Sequence, residues 1–582
     1  MIQTVTKASI KIDGKDLAYP LHALTLDERV NDHCVLSIQC SIPLPGTGDK
    51  DVFVESGNIF SLLGKQVKAS FSSDQVTFEV GKAHEFIGVI TNVDLNNDIN
   101  KLNQFTITAC DPTFVMSATT CSAYFRDMKA SDIISQLLNK HSIPINKVSL
   151  TNDRQFEFYY HSNESDYDLI RRLAAVGGSL IWYDGSKVSV CPPSPSDPVN
   201  LDWQGSLGSL SVKLNCVPLK FQGSSFNYNE KDPFEFETRG DPSTSLSGIA
   251  SRAQKGSKDL FPESAHVGLT EVFPSFSDLS NQLTSLQNAQ MNQLLVAVGE
   301  SNIPTVTVGR CVNISNLSEV NGKYMVTRVE HSLSGNSVYN NRFQASPIET
   351  VCGDRPAIRK APPELSVITG VVTNNDDPDQ GGRVKVQFHT ANLDDESGWA
   401  RCAAPHAGGD HSFYMIPEIG DEVVVAFEDN DPSQPIVLGS IFNSSSPPDS
   451  NHVNSQNEKK LLTTKSGNMI SICDTSGEEE IAIVTADEKS QVVMKAGSSP
   501  SITVQSDGDI TLDGKNITIK ASGKIDVSAD QSIEQNATGK MVLGSSQSSE
   551  MSAPQIKVKA DATLDLNGSA TVTVKGGVIK LN

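Results

Sequence analysis

The stretch Ser501–Val527, SITVQSDGDITLDGKNITIKASGKIDV, repeats one short pattern four times. Each repeat is an apolar, polar, apolar triplet followed by residues such as Gly, Asp, Ser and Lys, so a strand built from it has a single apolar face. The apolar pairs that begin at Ile502, Ile510, Ile517 and Ile525 are separated by eight, seven and eight residues. A fixed period of this kind predicts a repeat architecture in which no unit buries its own apolar face.

Two architectures can bury such a face. One chain could coil into a β-solenoid, but eight residues supply only one short strand and a turn. Three chains could instead wind together into a triangular prism, with the apolar side chains meeting at the axis, and this homotrimer is the favoured interpretation. We expect its core to contain Ile502, Val504, Ile510, Leu512, Ile517, Ile519, Ile525, Val527, Ile556, Val558, Leu564, Leu566, Val572 and Val574.

The composition changes after Phe442. Residues 443–582 contain no Phe, Trp, Tyr or Arg. A globular domain of this length would use several aromatic side chains to fill its core, because each one buries a large area. The interior is therefore predicted to be narrow and filled by β-branched and aliphatic side chains. Earlier apolar pairs begin at Ile470, Ile481 and Val492 and are spaced near eleven residues. This wider spacing suggests that the predicted prism, a rod of three chains, begins with a looser segment.

Length and charge limit the other possibilities. A chain of 582 residues is too long for one core. It has a formal net charge of −22, which disfavours a general nucleic-acid surface, because phosphate binding requires clustered Lys and Arg. Its ten cysteines form no C-x-x-C pair, as expected for buried free thiols in a reducing cytosol. The start lacks a basic segment followed by an apolar one, which predicts synthesis in the cytoplasm without a signal peptide.

The region before the rod is mainly β. Alternating runs up to about residue 125 predict an antiparallel barrel or sandwich. A helix is expected at ASDIISQLLNKH, with Ser131 as its N-cap, and a second helix is expected with Ser165 or Asp166 as its N-cap. A third is expected at SDLSNQLTSLQNAQMNQLLVAV, with an apolar stripe that includes Leu294 and Leu295. Residues 359–366 form a Pro-rich segment that is expected to be a domain boundary. Beyond it, about five short strands with tight polar turns match a small OB-like barrel.

Several segments resemble one family. Tyr414–Asn443, YMIPEIGDEVVVAFEDNDPSQPIVLGSIFN, is similar to the OB-domain signature of VgrG spike proteins of type VI secretion and of related contractile injection systems, the phage baseplate hub and spike family. Gly382–Phe388 and Trp399–Pro405 resemble the earlier strands of that domain. Ser165–Gly185 resembles the hub segment of the family, and NMISICDTSGEEEIAIVTADEKSQ resembles the start of its β-helix.

The resemblance implies three regions in a mainly β homotrimer. Residues 1–358 would form a tube-docking hub of two β-barrel subdomains with a helical insert near 130–176. Residues 359–448 would form an OB-fold neck, and 449–582 an intertwined triple-stranded β-helix spike. The implied partners are a hexameric inner tube, baseplate proteins, a PAAR-like tip protein docked at Ile579, Leu581 and Asn582, effector cargo and, transiently, a target membrane. Some relatives carry fused effector or lysozyme-like domains, which this sequence does not show, so no enzymatic activity, catalytic residue or cofactor is expected.

The sequence gives weaker support for binding of metal, nucleic acid or carbohydrate. His406 and His411 lie in a glycine-rich turn without an evident third ligand, and the acidic loop NNDDPDQGG matches no EF-hand spacing, so no metal site is predicted. An OB-fold nucleic-acid-binding protein is disfavoured, because residues 364–442 hold only three Arg and Lys against fourteen Asp and Glu. A trimeric receptor- or carbohydrate-binding phage-type fibre shares the repeat, but the rod lacks aromatic residues for stacking on sugars.

Overall fold

The computed structural model describes residues 6–42, 59–73, 83–98, 101–194, 197–227, 233–239, 248–269, 272–334, 338–347, 367–390 and 396–581. The chain divides into two compact units, Met1–Asp449 and Ser450–Asn582. Strands are the main secondary structure in both units, which agrees with the mainly β fold predicted from the alternating sequence. No helix in the described part is long and apolar enough to cross a membrane.

One large sheet organises the first unit. Its order is β14-β18-β21-β20-β3-β4-β7-β6-β5-β1-β2, with β13 and β19 attached beside β20. Early and late strands meet where β3 pairs with β20. The strands are β1 Thr6–Ile12, β2 Lys15–Asp16, β3 Leu21–Arg29, β4 Val35–Ser41, β5 Gln66–Ser73, β6 His84–Asp98, β7 Lys101–Cys110, β13 Val199–Asp202, β14 Leu207–Leu214, β18 Leu295–Ser301, β19 Cys311–Ser315, β20 Gly322–Ser334 and β21 Tyr339–Pro347.

The alternating sequence explains how this sheet forms two cores. Along β4, Leu36, Ile38 and Cys40 point to one side and are fully buried, and Cys34 before the strand is buried on that side too. This face belongs to the core of the first half of the sheet. A second core, with Phe343 among its members, covers the later strands. The junction between β3 and β20 therefore connects two separately packed halves.

The helices have clear local causes. They are α1 Ala130–Lys140, α2 Asp166–Val176, α3 Gly248–Leu260 and α4 Phe276–Met291, with short 3-10 helices at Pro112–Ser117, Ser318–Val320 and Glu428–Asn430. The Ser165 hydroxyl accepts a hydrogen bond from the Asp168 amide at the start of α2, so the predicted N-cap is confirmed. Leu169, Ile170 and Leu173 are buried, as expected for its inner face.

Two helix predictions are wrong in detail. Lys129, not Ser131, occupies the N-cap of α1, because the Asp153 carboxylate accepts hydrogen bonds from the Ser131 amide and hydroxyl at 3.0 and 2.7 Å. The predicted helix containing Leu294 and Leu295 ends earlier, at the end of α4. Leu295 instead begins β18, where pairing with β14 and β21 and alternating burial override the helical pattern.

Smaller sheets surround the helices. A ribbon pairs β8 with β10, and two three-stranded sheets have the orders β11-β12-β9 and β16-β15-β17. The hairpin between β11 and β12 needs glycine, because a Cβ at Gly185, whose φ is +95°, would lie 1.8 Å from the Glu85 carbonyl oxygen. The strands are β8 Thr120–Lys129, β9 Ile145–Val148, β10 Gln155–Ser165, β11 Leu180–Tyr183, β12 Val188–Cys191, β15 Phe221–Ser225, β16 Phe234–Glu237 and β17 Ala265–His266.

The OB domain is the five-stranded barrel that the sequence predicted. Its strand order is β23-β22-β27-β28-β24, and a separate hairpin pairs β25 with β26. Small aliphatic side chains such as Val372, Val386 and Val423 fill its core together with Phe388. The strands are β22 Ile368–Asn374, β23 Lys385–Phe388, β24 Arg401–Cys402, β25 Ala407–Gly408, β26 His411–Ser412, β27 Glu422–Phe427 and β28 Pro435–Ser440.

The second unit begins as an antiparallel meander. Its five strands pair in sequence order and are β29 Lys459–Thr463, β30 Met469–Cys473, β31 Glu480–Val484, β32 Ser490–Lys495 and β33 Ser501–Ser506. The pairs spaced near eleven residues lie here, because each strand is followed by a turn long enough to reverse the chain. After β33, residues 507–581 form neither helix nor strand.

Candidate functional site

One face of the meander is apolar and open. Successive strands place Ile470, Ile483, Val492 and Val504 opposite one another in a row, beginning with Leu462 on β29. This row lines a groove of about 550 Å³ that continues to Ile510.

A second row on the same face contains Ile472, Ile481, Met494 and Ile502. Ile502 is 74% exposed and Ile481 42% exposed. We call these two rows the apolar sheet face. It is unusually large for a surface that meets only water.

The segment after the meander continues this exposure. In each apolar pair of residues 507–581 the first side chain is somewhat less exposed than the second, for example 56% at Ile517 and 69% at Ile519. The same difference recurs at Ile510 and Leu512, which indicates a repeated local geometry. The other predicted core residues of this segment are also exposed: Ile525, Val527, Ile556, Val558, Leu564, Leu566, Val572 and Val574.

The backbone of this segment has few partners within the described chain, where the Gly508 amide donates to Ser506 Oγ and the Gln547 amide donates to Ser545 Oγ. Residues 508–581 make no backbone–backbone hydrogen bond with one another in the described structure. Extended segments of this length normally satisfy their amide and carbonyl groups in a sheet. Both the side chains and the backbone of residues 508–581 are therefore ready to pair with further strands.

The predicted tip residues are only partly described. Ile579 is 51% exposed and Leu581 is 92% exposed. The third, Asn582, lies outside the described residues.

Within the first unit, the ribbon of β8 and β10 packs against the OB domain. The ribbon of β8 and β10 contributes to both cores: Tyr159 packs in the hub, whereas Phe158 and Tyr160 pack in the OB core. The Tyr160 hydroxyl lies 2.9 Å from the Thr390 hydroxyl. The sequence did not indicate this shared ribbon, since its alternation predicts a strand without specifying which cores its two faces enter.

The acidic loop of the OB domain is paired with an arginine side chain. The Asp377 carboxylate accepts hydrogen bonds from Arg383 Nε at 2.9 Å and Nη2 at 2.7 Å, and from the Gly381 amide at 2.9 Å. This guanidinium pairing holds the pKa of Asp377 well below its usual range. The oxygens that a calcium ion would use are therefore bound to arginine and backbone.

The two candidate histidines of the OB domain do meet. His406 and His411 have ring centroids 4.4 Å apart beside the hairpin of β25 and β26. Both are exposed. Among the described residues, groups of three possible metal ligands occur elsewhere, at Glu28, His84 and His331 and at Cys121, His161 and Asp166. Neither group was found from the sequence, because its members are distant along the chain or lack a recognised spacing.

The group of Glu28, His84 and His331 lies where β3 pairs with β20, between the two packed halves of the large sheet. His84 Nε2 is 2.8 Å from Glu28 Oε1, and the Thr307 hydroxyl donates to Oε2 at 2.7 Å. Burial opposes ionisation of Glu28, but His84 and His331 lower its pKa well below the usual range. Burial also lowers the pKa of His331. The arrangement is a buried ion pair between Glu28 and His84 beside a neutral imidazole.

Comparison with known proteins gives the class of the molecule. Residues 368–442 match the family described as the type VI secretion system/phage-baseplate injector OB domain. Residues 5–335 match the Alg8 N-terminal domain, over more than half of the chain. The fold and these matches define a VgrG-like spike protein of the kind associated with type VI secretion and phage baseplates. Because its match spans more than half of the chain, the chain belongs to the Alg8 N-terminal domain family.

Individual relatives agree with this class. The chain is 33% identical over 159 residues to the type VI secretion system spike protein VgrG4b of Pseudomonas aeruginosa, covering 25% of this chain and 19% of that protein. It is 23% identical over 402 residues to the actin cross-linking toxin VgrG1 of Vibrio cholerae, covering 62% and 35%. The chain thus spans about a fifth and about a third of the lengths of these two relatives.

A solved structure supports the fold. The Francisella PdpA–VgrG complex aligns with a TM-score of 0.56 at 10% identity, covering 87% of this chain and 80% of that chain. At this identity the likeness concerns the fold alone.

Proposed function

We propose that three copies of the chain form the central spike of a contractile injection machine. The observation that carries this proposal is the apolar sheet face together with residues 508–581, whose apolar pairs are exposed and whose backbone forms no backbone–backbone hydrogen bond within the described chain. Two further copies would bury the apolar pairs at a common axis and supply neighbouring strands for hydrogen bonding. The absence of aromatic residues after Phe442 fits an axis too narrow for rings.

The hub would cap the inner tube. Each chain carries two packed halves in one sheet. Three chains would present six such halves, which suits a hexameric tube and contact with baseplate proteins. The ribbon of β8 and β10, shared by the hub and OB cores, would transmit load from the hub to the neck during ejection.

The spike would end in a docking surface for a PAAR-like tip protein, formed by Ile579, Leu581 and Asn582. The exposure of Leu581 supports this assignment, because three copies would gather apolar side chains at one end. In this mechanism the assembly, made in the cytoplasm, is expelled by sheath contraction, punctures the target envelope and carries effectors. The chain itself acts mechanically and not as an enzyme.

The mass in solution tests the assembly. Light scattering or native mass spectrometry of the full chain is expected to give three times the 62.5 kDa of one chain. The mass should remain unchanged on dilution to nanomolar concentration, as for an obligate interwoven assembly. A stable, folded species with the mass of one chain would contradict the proposal.

A further inference from the structure

A compact cluster of side chains that could hold a metal ion lies in the first unit. Cys121 comes from β8 and His161 from the adjacent β10, and Asp166 is the first residue of α2. The Cys121 sulfur lies 3.2 Å from His161 Nε2 and 2.8 Å from Asp166 Oδ1. His161 Nε2 is 3.1 Å from the same carboxylate oxygen. Sulfur, nitrogen and oxygen donors therefore converge on one point.

A partly exposed histidine contacts the other oxygen of the Asp166 carboxylate. His141 follows α1, and its Nε2 is 2.7 Å from Asp166 Oδ2. Its side chain is 24% exposed, so an ion can reach the cluster from solvent. Lys140 Nζ also lies 2.8 Å from Asp166 Oδ2, but its side chain is 51% exposed and can turn toward water.

The donor spacing suits a small tetrahedral ion. Zinc bonds of about 2.0–2.3 Å place the ligand atoms of a tetrahedral site about 3.3–3.6 Å apart. The three pairwise distances at Cys121, His161 and Asp166 are 2.8–3.2 Å, so outward shifts of a few tenths of an ångström would open the centre. A thiolate among the ligands favours zinc over magnesium or calcium, which prefer oxygen.

The far side of His161 is unsatisfied. His161 is fully buried, and its Nδ1 makes no hydrogen bond. This atom faces Glu164 Oε1 at 3.6 Å, slightly beyond hydrogen-bond length, and Glu164 is held by an ion pair with Arg172. A carboxylate behind a histidine is the usual outer support of a zinc ligand, because it fixes the tautomer that leaves Nε2 free for the ion.

Protons must leave when an ion binds. The Cys121 thiol carries its proton in the absence of an ion, because it donates a hydrogen bond to Asp166 Oδ1 at 2.8 Å. A bound cation would displace that proton to solvent and bond to the thiolate. The imidazole of His161 would likewise bind through a deprotonated Nε2. No oxidant or other reactant is required.

We propose that Cys121, His161 and Asp166 bind one Zn²⁺ ion in the first unit, with the fourth position open to a water molecule. The ion would tie the ribbon of β8 and β10 to the start of α2. Since the same ribbon enters the OB core, the ion would stiffen the link between hub and neck. The group at Glu28, His84 and His331 is a weaker candidate, because it has no sulfur ligand.

Metal titration of the tag-free full chain tests the proposal. After removal of metals with a chelator, added Zn²⁺ is expected to bind at one ion per chain and to raise the melting temperature. Co²⁺ at the same site should give a thiolate-to-cobalt charge-transfer band in the near ultraviolet. Cys121→Ser should abolish that band and weaken Zn²⁺ binding at least roughly tenfold. Cys216→Ser is the matched control, because Cys216 is an exposed cysteine outside the cluster.

A second variant covers the possibility that Cys121→Ser does not fold. Asp166→Asn removes a ligand carboxylate while keeping nearly the same side-chain shape, and it should also weaken Zn²⁺ binding while keeping the cobalt thiolate band. The proposal is overturned if the wild-type chain binds less than half an equivalent of Zn²⁺ at micromolar concentration. It is equally overturned if folded Cys121→Ser or Asp166→Asn binds Zn²⁺ as the wild type does.

Discussion

Gly398 in the OB domain lies against Phe158 of the hub ribbon so closely that a Cβ at position 398 would stand 2.7 Å from Phe158 Cβ. Phe158 is 3% exposed and belongs to the OB core. The contact is therefore a direct junction between the hub and the neck. Only a residue without a side chain allows the two backbones to approach to this distance.

Gly398→Ala is expected to strain this junction. Forcing a methyl group into a packed core typically lowers the free energy of unfolding by about 1–3 kcal/mol. Denaturant unfolding followed by tryptophan fluorescence measures the change, because Trp399 is the neighbouring residue. Gly409→Ala serves as the control, since a Cβ there meets nothing within 4 Å. Equal stability of the two variants would show that the junction is adaptable.

Glu28→Gln is expected to destabilise the hub by about 3 kcal/mol near neutral pH, because it removes one partner of a buried ion pair. The pKa of Glu28 is lowered in the folded chain, so its stabilising effect is present above the unfolded value of about 4.3 and is lost as pH falls below it. The difference between wild type and variant should therefore shrink below about pH 4.

Thermal unfolding at a series of pH values measures the Glu28 effect. Glu85→Gln is a suitable control, because Glu85 pairs with Lys68 at 2.9 Å on the surface and its side chain is 45% exposed. Surface pairs contribute about 0–1 kcal/mol. A variant difference at Glu28 that does not change with pH would contradict the ion-pair interpretation.

Replacing Ile517 and Ile519 with Asp is expected to break the trimeric spike. Three chains would then bring six carboxylates to the axis, and burying charge without a partner is strongly unfavourable. The proposed trimer should dissociate into species of lower mass or melt at a clearly lower temperature. Thr518→Asp, at the polar position between them, should have little effect. Similar melting of both variants would remove the support for inward-facing apolar pairs.

Leu581→Asp should reduce binding of a PAAR-type tip protein without altering the mass of the assembly. The 92% exposure of Leu581 means that the substitution removes little packing within the chain. Pull-down or interferometry with the purified tip protein provides the measurement. Lys580→Ala is the neighbouring control. Unchanged binding by Leu581→Asp would place tip docking on other residues.

Local sequence signals predicted local structure well. Ser165 caps α2, and the Val-rich strands of the OB domain fall where alternation and tight turns placed them. The Ser131 cap failed because Asp153, twenty-two residues away, bonds to that serine. The sites at Glu28 and Cys121 could not be predicted, because each is assembled by strand pairing and helix packing between residues far apart in sequence.

The lack of aromatic residues after Phe442 also determines how the molecule can be observed. All three tryptophans, Trp182, Trp203 and Trp399, lie before that position. Intrinsic fluorescence and absorbance at 280 nm therefore report on residues 1–442 and are silent for residues 443–582. Unfolding of residues 443–582 alone would leave these signals unchanged, so it has to be followed by far-ultraviolet circular dichroism. A tryptophan introduced by substitution after Phe442 would also serve as a probe.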